Sequence, residues 1–233
     1  MLINARRIRP ELMDDPAIDA DAHRRALDGL ARLNALSGCT GLLWSKIAPL
    51  TQGAADPLRV LDVASGAGDI PIRLALRAGR SGRRLQITAC DLSPVAIGFA
   101  SRRAARAGVR MNFFQADVLR SQIPGEYDVV LSSLFLHHLQ KAEAIDLLGK
   151  MQRAAGRMVL VSDLNRSAVN YSIVRAASYV LTRSPVVRHD GPASVLAAFT
   201  AHEALRLAEE AGLRGATVTR HPPCRFLLTW ERT

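Results

Sequence analysis

The segment Leu58-Arg-Val-Leu-Asp-Val-Ala-Ser-Gly-Ala-Gly68 restricts the possible folds of this chain more than any other. A short apolar run with β-branched residues stops at a turn of small residues, and a helical pattern continues to about Ala78. A strand that feeds a helix through a glycine turn opens a crossover unit, which makes successive strands parallel. The alternation continues down the chain. Strands are predicted at Leu85–Ala89, Met111–Gln115, Tyr127–Ser132 and Arg157–Ser162, and helices at 94–107 and about 139–154. Ser93-Pro94 gives the first of these helices an N-cap and a proline at its first position.

The two ends of the chain read differently. Ala22, Leu27, Leu30, Leu33 and Leu36 keep helical spacing over 21–36, and a second short helix covers 39–48. After the alternating segment come helices at 167–182 and 192–212, separated by Ser184-Pro185 and Gly191-Pro192. Strands at Ala216–Arg220 and Arg225–Trp230 are joined so tightly by His221-Pro-Pro223 that they must be antiparallel. The predicted fold class is α/β. It is a Rossmann-like, doubly wound, seven-stranded and mostly parallel sheet with a C-terminal antiparallel strand. A helical cap over 1–50 precedes a domain over 51–233, which carries a helical lid insertion at about 165–200.

Composition removes several classes. Hydrophobic residues make up 48% and charged residues 22%, enough apolar content for a packed core. The net charge of +10 comes almost wholly from arginine, since Lys46, Lys141 and Lys150 are the lysines. The arginines fall in scattered pairs such as Arg83-Arg84 and Arg102-Arg103, without the basic run of a nucleic-acid footprint. Three cysteines, Cys39, Cys90 and Cys224, form no disulfide framework and suit a reducing cytoplasm. No Cys/His spacing suggests a metal, so none is expected and chelators should have no effect. The first sixteen residues lack the apolar core of a signal peptide, and no apolar stretch reaches membrane-spanning length.

Ligands of open α/β sheets sit beyond the carboxyl ends of the strands, which puts the expected site at the glycine turn. Gly66 and Gly68 allow close backbone approach, but a dinucleotide fingerprint would need a third glycine where Pro71 stands. Asp62 and Asp69 flank the turn. Two carboxylates repel a pyrophosphate and favour a ligand carrying an ammonium and a sulfonium. Asp69 serves equally well as a first-turn helix charge, whereas a charge inside the apolar strand at Asp62 needs a partner. Asp91, ending the second strand, can accept from both ribose hydroxyls; Asp117, ending the third, can accept from an adenine amino group or simply start a turn.

Val60 to Gly68, Asp91, Ala116-Asp117 and Tyr127-Asp-Val-Val-Leu-Ser132, in this order over roughly 58–163, resemble the motifs of class I S-adenosylmethionine-dependent methyltransferases. The resemblance implies that Asp62 and the loop Ala64-Ser65-Gly66-Ala67-Gly68 hold the methionine part of that cofactor. It implies Asp91 with Leu92 at the ribose, Ala116, Asp117 and Val118 at the adenine, and Ser132 or Ser133 near the methionine end. Ser65 stands where such loops usually carry an acidic residue or glycine.

The segment Ser132-Ser-Leu-Phe-Leu-His-His-Leu139 leaves the fourth strand beside the methyl group in such a fold. His137 and His138 are the catalytic candidates; being consecutive, they are expected to point in different directions. His137 matches a position where plant-type O-methyltransferases carry a base, although a buried structural histidine reads equally well. A histidine near its ordinary value suits removal of a phenolic proton. Arg188-His-Asp-Gly191 reads as a polar cluster at a turn, either supplying a second histidine or an anchor or serving as surface turn chemistry, and the apolar residues of 170–187 as pocket lining, a peripheral membrane contact or plain core. The C-terminal third resembles bacterial methyltransferases associated with type III polyketide synthases, which implies a phenolic or polyketide-derived acceptor, methylated on oxygen or carbon. The alternatives are a quinone-ring C-methyltransferase and a non-catalytic cofactor-binding partner. A nucleic-acid methyltransferase would show Asn/Asp-Pro-Pro-aromatic where Ser132-Ser-Leu-Phe135 stands.

Overall fold

The computed structural model describes residues 3, 5–14, 18, 19, 21, 25–27, 29, 31 and 37–232. Of the helical pattern over 21–36, Leu27 is described and buried, while Ala22, Leu30, Leu33 and Leu36 lie outside the described residues. Seven strands form one sheet: β1 (Leu58–Val63), β2 (Leu85–Asp91), β3 (Asn112–Gln115), β4 (Tyr127–Ser133), β5 (Ala155–Leu164), β6 (Thr217–His221) and β7 (Arg225–Glu231). Their order is β3-β2-β1-β4-β5-β7-β6. β1 to β5 pair in parallel, while β7 runs antiparallel to both β5 and β6. The order reverses between β1 and β4, so a crevice opens beyond their carboxyl ends.

Alternation along each strand sends side chains to opposite faces. Leu61, Val63, Val130, Val159 and Val161 join one core with Leu147, Leu148 and Met151 of helix α4 (Lys141–Ala154) and Leu207 of helix α7 (Ala201–Glu210). Val60, Val129, Leu131 and Leu160 face the other way. They meet Leu43, Trp44 and Ile47 of helix α1 (Cys39–Ile47) and Ile70 and Leu74 of helix α2 (Asp69–Arg80). Helix α3 (Pro94–Arg106) starts as its sequence requires, with Ser93 Oγ accepting from the Ala96 amide at 3.2 Å.

Helices α5 (Ala168–Leu181) and α6 (Pro185–Ala197) pack on each other in the predicted lid segment. The break expected at Gly191-Pro192 does not occur: both residues lie inside α6, so Arg188 to Gly191 is helix and not a turn. The helix begins instead at Pro185, capped by Ser184, and stops at Ala198. Gly191 is needed for packing, since a Cβ there would stand 2.7 Å from Ser178 Oγ of α5. Among the described residues, no helix is long and apolar enough to cross a membrane.

Candidate active site

A cavity of about 1080 Å³ runs from the glycine turn to the lid. At one end, β1 passes into α2 through a turn built on left-handed residues: Ala64 (φ 55°), Gly66 (φ 54°) and Gly68 (φ 69°). The two glycines serve different needs. A Cβ on Gly66 would point into open space, on the side a ligand would occupy, whereas one on Gly68 would meet Ala100 Cβ at 2.9 Å. A non-glycine residue with positive φ is strained, and such strain collects at functional sites. Leu134, just after β4, is a second case with φ 55°. Ala64 and Leu134 both line the cavity, on either side of the point where strand order reverses.

Ala64, Ser65, Gly66, Ala67, Asp91, Leu92, Ala116, Asp117, Val118, Ser133, His137 and His138 all line this cavity. Asp62, Gly68 and Ser132 are not among the lining residues; they stand behind the wall. Ser132 Oγ donates to the Val63 carbonyl at 3.0 Å and so ties β4 to β1. Asp62 is fully buried, and neither carboxylate oxygen has a hydrogen-bond partner among the described residues. Burial, with Asp69 and then Asp91 nearby, pushes its carboxyl well above the usual carboxylate range. Ser65 Oγ is likewise buried without a partner. This end of the cavity therefore holds polar atoms that the protein itself leaves unsatisfied.

Asp91 already braces the turn: Oδ2 accepts from the Gly66 amide at 2.8 Å and Oδ1 from the Ser93 amide at 2.9 Å. Each oxygen keeps a further lone pair for a ligand hydroxyl. Asp117 caps its own turn, with Oδ1 accepting from the amides of Leu119 and Arg120 at 3.0 and 3.1 Å.

At the other end, β4 runs into a short 3-10 turn over Leu136–His138. His137 is 3% exposed, and its Nδ1 donates to Asp163 Oδ1 at 2.7 Å. The His137 backbone amide donates to the other oxygen, Asp163 Oδ2, at 3.1 Å. Nε2 then faces Glu11 Oε1 at 3.7 Å, while His138 Nε2 lies 4.0 Å from Glu11 Oε2. The expectation that the two rings diverge is thus corrected. On a tight 3-10 turn their centroids sit 4.3 Å apart, and both approach one carboxylate.

Burial pulls the His137 value down, but the charge and hydrogen bond of Asp163, and then Glu11, raise it to about 10. Asp163 is held below the ordinary range despite its burial, chiefly by His137. Burial also pushes Glu11 upward, yet His137, His138 and the Ser194 hydroxyl bring it below its ordinary value.

Glu11 and Asp163 carry this arrangement, and sequence reasoning passed over both. Glu11 belongs to a strap of residues 5–14 that has little regular structure of its own. Asp190 Oδ1 and Oδ2 accept from the Leu12 and Met13 amides at 2.9 and 3.0 Å, capping the turn next to Glu11. The Arg7 amide donates to the Leu196 carbonyl at 2.9 Å. Arg6 Nη2 donates to the His137 carbonyl at 2.7 Å, and its guanidinium lies 3.7 Å from the centre of the Phe199 ring. Between the two ends, Ile18, Leu27, Leu164, Ile173, Val174 and Leu181 supply apolar wall.

Residues 60–157 match the family described as the methyltransferase domain. That match spans less than half of the chain. Among curated relatives, the ubiquinone biosynthesis O-methyltransferase of Dechloromonas aromatica is 31% identical over 135 residues, covering 57% of this chain and 56% of that protein. The enzyme of the same name from Paraburkholderia phytofirmans is 29% identical over 169 residues, 70% of each chain. The chain thus spans between about half and 70% of these relatives' length. Among solved structures, the magnesium protoporphyrin IX methyltransferase of Synechocystis, with S-adenosylhomocysteine bound, superposes with a TM-score of 0.60 at 16% identity. That match covers 94% of this chain and 90% of the other, and at such identity it speaks for a shared fold. The seven-stranded order with β7 reversed is the sheet that the sequence predicts.

Proposed function

We propose that this methyltransferase moves the methyl group of S-adenosylmethionine to the hydroxyl oxygen of a phenolic, polyketide-like small molecule with an apolar substituent. The observation that carries the reading is the single cavity, which joins a cofactor-type turn to an apolar chamber with one polar corner. In this reading the loop over 64–68 and the charge of Asp62 hold the methionine moiety. Asp91 with Leu92 holds the ribose, Ala116, Asp117 and Val118 frame the adenine, and Ser133 borders the methyl group. The ligand's ammonium and sulfonium would supply the positive charge that the buried Asp62 lacks.

The sulfonium is already activated, so catalysis is a matter of alignment and exclusion of water. The phenolic oxygen attacks the methyl carbon in line, the carbon–sulfur bond breaks, and its electron pair returns to sulfur as the neutral thioether. Glu11, His137 and His138 form the corner that receives the acceptor's hydroxyl; Asp163 fixes the His137 ring, which at neutral pH is charged and holds the Glu11 carboxylate, so the hydroxyl's proton passes to Glu11 or His138. The lid helices supply the apolar wall for the substituent. Relatives named as O-methyltransferases of ubiquinone biosynthesis support oxygen as the methylated atom. The cap over 1–50 and the lid insertion within 51–233 are, in this reading, the parts that make the acceptor chamber.

The test is to incubate the purified chain with isotopically labelled S-adenosylmethionine and a panel of resorcinols, alkylresorcinols and quinols, and to follow label by mass spectrometry. Label on a phenolic oxygen is expected, with tailed acceptors preferred. Calorimetry showing no affinity for S-adenosylhomocysteine alongside tight binding of a nicotinamide nucleotide would overturn the reading.

A further inference from the structure

The polar corner of the cavity has a geometry that hydrogen bonding alone does not explain. Glu11 Oε1 to His137 Nε2 is 3.7 Å, and Glu11 Oε2 to His138 Nε2 is 4.0 Å. Both exceed hydrogen-bond length. One atom from each of the three side chains lies within 4.8 Å of the others. Donors that surround a divalent cation at about 2.0–2.2 Å stand roughly 3–3.5 Å from one another, so side-chain shifts that shorten the widest separation by up to about 1.8 Å would close this set on an ion.

We infer that Glu11, His137 and His138 form a binding site for one divalent first-row transition-metal cation of the zinc class, open toward the cavity. Three further features support it. His137 Nδ1 is engaged by the buried Asp163 at 2.7 Å, which leaves Nε2 directed at the cluster. That is the carboxylate–histidine–metal relay that fixes a ligating imidazole. The donors are two imidazoles and one carboxylate, the set found in open zinc and iron(II) sites, while magnesium prefers oxygen alone. The set faces the chamber, since Glu11, His137 and His138 all line it, leaving a fourth position for a small ligand.

The surrounding charge is also suited to a dication. Among the described residues, Glu11 and Asp163 are the acidic groups at the corner and Arg6 is a nearby cation, its guanidinium occupied by the His137 and Ala197 carbonyls; Arg166 and Glu203, beside Arg6, pair with each other. Ligation requires neutral imidazoles, so a cation would displace the His137 proton; the corner then keeps one excess negative charge, which a dication together with a phenolate would bring to neutrality.

The site stands on these residues. Its use in turnover rests on the methyl-transfer reading above. A cation-bound hydroxide would take the phenol's proton and leave as water, and the phenolate would remain on the metal facing the methyl group. The phenolate's oxygen–carbon bond then forms as the sulfur–carbon bond breaks.

The experiment uses tag-free full-length protein, stripped with EDTA, loaded with Zn²⁺, Co²⁺ or Mg²⁺, desalted and assayed by plasma mass spectrometry. One equivalent of zinc or cobalt per chain is expected, with a visible cobalt absorption band, and no retained magnesium. E11Q and H138A should bind at least about tenfold more weakly, and D163N about 10–100-fold more weakly. H202A, which alters an exposed histidine outside the corner, should bind as wild type. His138 is partly exposed, so H138A decides the matter should a buried variant fail to fold. A wild-type chain that keeps no cation, or E11Q and H138A variants that bind like wild type, would overturn the site. Affinity for S-adenosylhomocysteine is measured in parallel on the metal-free chain. If it persists without metal binding, only the metal site fails; if it is lost while metal binds, only the methyl-transfer reading fails.

Discussion

The two ends of the cavity are built in opposite ways. The cofactor end is local: Ala64 to Gly68, Asp91 and Asp117 come from three consecutive strand ends within one stretch of chain. The acceptor end is assembled from distance, with Glu11 from the N-terminal strap, His137 after β4, Asp163 on β5 and Ser194 on α6. Among the described residues, the first end leaves polar atoms without hydrogen-bond partners, at Asp62 and Ser65, whereas at the second Asp163 is hydrogen-bonded within the protein. A ligand therefore meets unsatisfied polar atoms at one end, and at the other it enters a corner whose side chains are already held by the protein.

Variants can separate the two ends. The largest effect is expected from Asp91→Ala, which removes the two proposed ribose acceptors and the brace on the Gly66 amide. Affinity for S-adenosylhomocysteine should fall by at least about 100-fold, from roughly 3–5 kcal/mol of charged hydrogen bonding. Unchanged calorimetric affinity would remove Asp91 from the site. Next comes His138→Ala, expected to lower kcat by about 10–100-fold while leaving cofactor affinity within about twofold. A matching loss of affinity would mean that the two ends are not separable.

Asp62→Asn should divide stability from binding. The carboxyl is raised in the folded chain above its unfolded value, so its ionised form opposes folding once the pH exceeds the ordinary carboxylate range. The ligand-free variant should thus melt a few degrees higher at neutral pH. That gain should shrink as the pH falls toward the unfolded value, below which both states bind the proton. Cofactor affinity should drop by about tenfold. A variant that melts lower at neutral pH would show that Asp62 has a partner in the free protein. The smallest effect is expected at the lid. Ile173→Ala should raise KM about threefold for tailed phenols and leave tail-free ones unaltered, a difference of under about 1 kcal/mol.

Legibility in the sequence follows the same division. The bounds of β1 and the start of α3 were readable because an apolar run, a glycine turn and a Ser-Pro cap act on their immediate neighbours. β5 extends to Leu164, beyond the Ser162 expected, and so carries Asp163 to the carboxyl end of the sheet, beside the turn that follows β4. A carboxylate ending a strand there was open to the same reasoning applied to Asp91 and Asp117. Gly191-Pro192 misled because those residues normally interrupt a helix, whereas here the glycine lets α6 approach Ser178. Glu11 had no signal at all: it becomes a site residue through contacts with positions more than a hundred residues away. Leu134, an ordinary apolar residue in the sequence, takes its left-handed shape where the chain leaves β4 for the 3-10 turn, just after its amide bonds the Ser162 carbonyl at 3.0 Å.

The pair of backbone bonds from Leu12 and Met13 to Asp190 gives α6 a say in the chemistry. A side chain that lines no part of the chamber decides whether an acid stands beside the two imidazoles. Engineering of the acceptor pocket through the lid therefore cannot treat α6 as wall alone: shifting that helix by the width of one methyl group would carry the N-terminal strap, and the carboxylate it bears, along with it.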